Sequence, residues 1–232
     1  MSLRPNNTPE TVAIMLFLLL LVSSVLGYSD TQETVYNYVE QMKISPSMQE
    51  SLVDSLRRAF TEGIADEDKT LTALKWIDER EADIAEKEGL LNILVDSIDQ
   101  GLPANQLLNE LSEGLARGVS MSEVRRVLLR WKNALAEVKR LLGRAGIGIG
   151  TPLEGGETVS RSELYVAIEN ITHSVEQFLL EARNPHEEQA DELKDRTLHV
   201  LNQDFRLSFA LINLIDKKVS SGQLIEVANS LA

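Results

Sequence analysis

Residues 107–131 read LLNELSEGLARGVSMSEVRRVLLRW, and residues 52–76 read LVDSLRRAFTEGIADEDKTLTALKW. Shifted by 55 positions, Leu52, Leu56, Gly63, Leu74 and Trp76 fall on Leu107, Leu111, Gly118, Leu129 and Trp131. Val53, Phe60 and Ile64 meet Leu108, Leu115 and Val119 in the same alignment. In both copies aliphatic residues recur at helical spacing up to a glycine, and an aliphatic residue follows it. Inside a helix each glycine would cost about 1 kcal/mol relative to alanine, whereas just past a helix end its left-handed backbone carries no such penalty. Each copy therefore reads as helix, glycine turn, helix. The shared tryptophans, Trp76 and Trp131, read as packing residues of a repeated hairpin, with Gly63 and Gly118 as its turns.

The same spacing extends outward in both directions. Val35, Val39 and Met42 line one helical face, as do Leu90, Ile93, Leu94 and Ile98, and Gly101 precedes Leu102 as the other two turn glycines precede their aliphatic neighbours. Asp30-x-x-Glu33, Ser47-x-x-Glu50, Ser120-x-x-Glu123 and Ser160-x-x-Glu163 have the form of capping boxes. Pro46, Pro103 and Pro185 sit where a first helical turn tolerates proline. The expected fold is all-α: helical hairpins packed as an irregular bundle or a short array, since two copies are fewer than a free-standing solenoid needs.

The phrase Glu113-Gly114-Leu115-Ala116-Arg117-Gly118-Val119 resembles a turn motif, E-G-L-A-K-G-V-P, of uncharacterised exported bacterial helical proteins. Gly101-Leu102-Pro103 matches the preceding turn of that pattern, while Ser120 stands where those proteins usually have proline. The likeness covers residues 44–142 well and the C-terminal part loosely. It implies an envelope or secreted location and carries no activity.

The N-terminus points the same way. Residues 11–28, TVAIMLFLLLLVSSVLGY, hold no charge and would span about 27 Å as a helix, just short of a hydrocarbon core. Val25-Leu26-Gly27 suits a signal peptidase, so residues 1–27 read first as a cleaved signal peptide and second as an uncleaved anchor. The chain has no cysteine, which removes disulfides, thiolate metal sites, thiol nucleophiles and a lipoprotein anchor together. After the leader come a helical-hairpin repeat block (28–142), a Gly-rich linker (143–159, GRAGIGIGTPLEGGETV) and a C-terminal helical block (160–232). In the last block, helices are expected near 161–182, 186–218 and 222–231.

Chemistry is sparse. His186-Glu187-Glu188-Gln189-Ala190 begins like a zinc-protease motif, but alanine stands where the second histidine ligand belongs, and His173 and His199 lie far away in sequence. Gly150 is followed by Thr151-Pro152, with no lysine, and Gly146-Ile147-Gly148-Ile149-Gly150 lacks dinucleotide spacing, so a phosphate loop fails. The Gly-Ile alternation instead suggests a linker, or an extended segment docked in a groove of the larger block. Asn170-Ile171-Thr172 has the form of a glycosylation acceptor but falls inside an expected helix.

The most informative polar feature is charge. The chain carries a net −13, yet residues 117–144 hold eight basic side chains against Glu123 and Glu137. On that helix Val124, Val127, Leu128, Trp131, Leu135, Val138, Leu141 and Leu142 share one face. Arg125, Arg126, Arg130, Lys132, Lys139 and Arg140 occupy the other. The basic face is either answered by the acidic run 78–88, DEREADIAEKE, or is a docking face for an anionic partner: a lipid surface, a cell-wall polymer or an acidic protein. An acidic, exported chain argues against nucleic acid. The sequence thus favours a non-enzymatic exported protein, without catalytic, metal or cofactor residues, acting as an interaction or structural module of the bacterial envelope, periplasmic or secreted. The alternatives are a membrane-tethered adaptor with residues 12–28 retained, its bulk outside the cytoplasm, and an enzyme with a carboxylate site in a helical cleft.

Overall fold

The computed structural model describes residues 31–153, 156–182, 190–203 and 209–231, and these are all-α. The helices are α1 (31–41), α2 (Pro46–Glu62), α3 (Glu67–Glu79), α4 (Ile84–Asp99), α5 (Asn105–Ala116), α6 (Met121–Arg144), α7 (Arg161–Ala182), α8 (Ala190–Gln203), α9 (Phe209–Lys218) and α10 (Ser221–Leu231). The expected leader 1–27, Asp30, Pro185 and His186 lie outside the described residues, and no helix among the described ones is long and apolar enough to cross a membrane.

Side-chain caps start most of these helices. Ser120 accepts the Glu123 N–H, and Ser160 and Glu163 form a reciprocal box, each side chain bonding the other's backbone N–H. Two expectations need correction. The cap of α2 is Ser45 rather than Ser47, because Pro46 takes the first helical position and leaves the residue before it as the cap. Pro103 lies ahead of α5, whose N-cap, Ala104, has no capping side chain; instead the Ala104 N–H donates to the Ile64 carbonyl at 2.9 Å.

The glycine turns are as the spacing requires. Gly63, Gly101 and Gly118 have φ of 67°, 62° and 80°. After each, the aliphatic N–H reaches back to the carbonyl five residues earlier: Ile64 to Ala59 (2.8 Å), Leu102 to Ser97 (3.0 Å) and Val119 to Gly114 (3.0 Å). These are Schellman closures, with Ile64 and Leu102 buried. Gly146 makes a fourth, with Ile147 bonding back to Leu142 at 2.8 Å.

From α2 to α6, three of the four main helix contacts skip one helix. α2 packs on α4, α4 on α6, and α3 on α5. Side-chain bonds give the directions. Ser45 and Ser55 of the α2 region meet Glu88 and Asp99 of α4. Asp96 and the Gln100 carbonyl beyond α4 meet Lys132 and Lys139 of α6. Asp66 and Arg80 meet Asn105 and the Leu115 carbonyl. Residue numbers rise together in each set, so α2, α4 and α6 form one parallel row and α3 and α5 another. Gln32 of α1 bonds Glu67 of α3 at 2.6 Å, adding α1 to the second row. The result is a short two-row array. It corrects the expected pair of stacked hairpins in one respect: α5 packs on α6, but α2 and α3 go to different partners. α4 lies at the centre, with Leu90, Leu91, Ile93, Leu94, Val95 and Ile98 all buried, so it is apolar around most of its circumference.

The Gly-rich stretch 143–159 is not a free linker. Gly143 and Arg144 are the last residues of α6, and Ile147, Leu153 and Val159 are buried. A loop closes on itself through Gly150 N–H to Val159 O (2.8 Å) and Val159 N–H to Thr151 O (2.9 Å), around an isolated bridge between Pro152 and Thr158. The Gly-Ile run docks only by Ile147; Ile149 is 55% exposed. Beyond the loop, α7 and α10 pack on α6, and α8 packs on α7 and α10. The helix expected over 186–218 is described as α8 and α9.

Candidate interaction face

α6 is a sharply two-sided helix. Its inner side holds Val124, Leu128, Trp131, Leu135, Val138 and Leu142, all buried. Its outer side carries the six basic residues singled out in the sequence, and the structure separates them. Lys132 pairs with Asp96 of α4 and is largely buried, and this hydrogen bond, with a second from Gln100, holds the Asp96 carboxyl below its usual range. Lys139 donates to the Gln100 and Gly101 carbonyls at 2.6 and 3.1 Å, satisfying the end of α4; burial lowers its pKa, with Glu62 opposing. Arg140 pairs with Glu137 and, at 3.0 Å, with Glu226 of α10. Arg130 acts electrostatically on Glu176 of α7. Arg126 pairs with Glu123 one turn away, with both side chains largely in solvent, an arrangement worth about 0.3–0.5 kcal/mol. Arg125 makes no ion pair among the described residues.

The basic face is therefore mostly the mortar of the array, and its partners are Asp96, Glu123, Glu137 and Glu226 rather than the acidic run 78–88. That run is used elsewhere: Glu88 accepts the Ser45 N–H and Arg80 donates to the Leu115 carbonyl. Asp83 caps α4 by accepting the Glu86 N–H at 2.7 Å, and buried Lys87 donates to the Asp78 carbonyl at 2.6 Å.

What remains open lies at the N-terminal ends of α4 and α6. A cleft of about 330 Å³ there is lined by Asp83, Ala85, Glu86 and Gly89 on the α4 side and Met121, Ser122 and Arg125 on the α6 side. Gly89 is a helix-interior glycine, at a cost of about 1 kcal/mol relative to alanine. A Cβ there would meet only the Arg125 guanidinium, at 3.8 Å, so packing does not demand glycine. Leu129, one turn beyond Arg125, is 38% exposed, and Ile84, at the start of α4, is 55% exposed. Sequence spacing could have flagged Gly89: the apolar pattern of α4 runs straight through it, unlike the turn glycines.

The other candidates resolve differently. Trp131 is buried at 3% exposure, whereas Trp76 is only partly buried. His173 is exposed, 3.6 Å from Glu176, and His199 borders a second cleft of about 580 Å³ between α7 and α8, where the Arg196 guanidinium lies over the Phe178 ring. Among the described residues no cluster of three His, Cys, Asp or Glu side chains is placed to hold a metal. One carboxylate pair does interact: Glu110 of α5 and Glu176 of α7 both have raised pKa values, burial being the main cause, and Glu110 adds repulsion at Glu176 that Arg130 opposes. Neither lines the two clefts above.

The motif 113–119 also acquires a physical role. It ends α5, closes the Gly118 turn, and places Gly114 against α6, where a Cβ would come within 2.9 Å of Val124 Cγ2. The Leu115 carbonyl accepts Arg80 from the end of α3 at 2.8 Å. Compared with known proteins, the chain matches no family model, no curated protein and no solved structure.

Proposed function

We propose that the protein is a non-enzymatic interaction module of the cell envelope, exported by its N-terminal segment and working through the outer side of α4 and α6. The observation that carries this reading is the α4–α6 cleft. It sets Arg125, which has no ion pair among the described residues, beside Ala85, Gly89 and Met121, with Asp83 and Glu86 also in the lining, on a face whose other cations are largely occupied inside the fold. Arrays of parallel helices suit such work because the core fixes the helix backbones and leaves the outer side chains free to vary. Export rests on residues 11–28, whose composition fits a signal peptide.

The first test is the N-terminus and cellular fraction of the protein in an envelope-bearing host. A start at Tyr28 in the soluble exported fraction is expected. An intact Met1, or a start at Ser2, in the membrane pellet would replace the free module with a tethered adaptor. The same termini in the cytosol would remove the envelope reading altogether.

A further inference from the structure

We draw no further inference here: the strongest candidate, the cleft of about 580 Å³ between α7 and α8 around Phe178, Arg196 and His199, sets an apolar ring between charges of opposite sign, Asp195 and Arg196, and nothing in the structure shows what covers it.

Discussion

At Gly63 and at Gly118 the backbone takes the same left-handed step, and the residue after each glycine bonds back to the residue four before that glycine, Ala59 in one case and Gly114 in the other. The two turns then differ in length by one residue. After Gly63 come Ile64 and Ala65 before the cap Asp66; after Gly118 comes Val119 alone before the cap Ser120. The second helices of the two copies are thus displaced by 54 positions where the first are displaced by 55. Each residue of a helix turns the next by about 100°, so one extra turn residue changes which side chains face inward. Buried Thr70, Leu74 and Ile77 of α3 correspond to Val124, Leu128 and Trp131 of α6, and Trp76 corresponds to Arg130. The matching tryptophans of the aligned sequences are not structural equivalents.

This contrast has a large consequence. Trp131 fills the core beneath α6, so Trp131→Ala should cost about 3–5 kcal/mol. Trp76 keeps part of its ring in solvent, so Trp76→Ala should cost about 1 kcal/mol. Urea unfolding followed by far-ultraviolet circular dichroism measures both. Equal losses would mean that the two helices share a register after all.

The first helices of the two copies offer a sharper version. Ala59 and Gly114 occupy the same place before the turn; Ala59 is fully buried on a helix that packs on α4 rather than on α3. Gly114 is pressed against Val124 because α5 packs on α6. Val124 is β-branched and stiff, so it cannot swing clear of an added methyl. Gly114→Ala should therefore destabilise by about 1–3 kcal/mol despite its better helix propensity, and a double variant with Val124→Ala should lose less than the sum of the single changes. Additivity in that cycle would break the explanation.

The local half of this structure was legible in sequence and the non-local half was not. Turn glycines announce themselves because only glycine takes the left-handed step freely, and Ser120 and Ser160 announce caps by the glutamate three residues on. Gly146 escaped because its neighbours are also glycines, which made the composition look like a linker, although buried Ile147 marks the same turn as Ile64 and Leu102. The Trp76 register escaped because a single inserted alanine is invisible to an alignment anchored on glycine. The parallel rows could not be read at all. They depend on pairings such as Asp96 with Lys132, which no local propensity encodes, and those pairings decide which cations of α6 remain for a partner. Glu137, three residues before Arg140, already separates it from Arg125 in the sequence, but the second ion pair of Arg140, with Glu226, depends on the position of α10.

The smallest effect concerns carboxylates on the two sides of α6. On the α4 side, Asp96 is held below its ordinary pKa by Lys132, so it stabilises the fold above its unfolded pKa, and that contribution is lost as pH falls through the lower folded value. On the α7 side the sign reverses. Glu110 and Glu176 are held above their ordinary pKa mainly by burial, so folding favours their protonated forms. Their penalty is absent below the unfolded carboxyl pKa and grows as pH rises to and through the folded value. Glu176→Gln should accordingly raise stability at neutral pH and change it little in acid, whereas Asp96→Asn should lower stability at neutral pH and lose its effect in acid. Unfolding midpoints measured across that range test both signs together. A Glu176→Gln variant that is less stable at neutral pH would show that Arg130 outweighs burial and Glu110, making the α7 side of the helix a second ionic seam like the one toward α4.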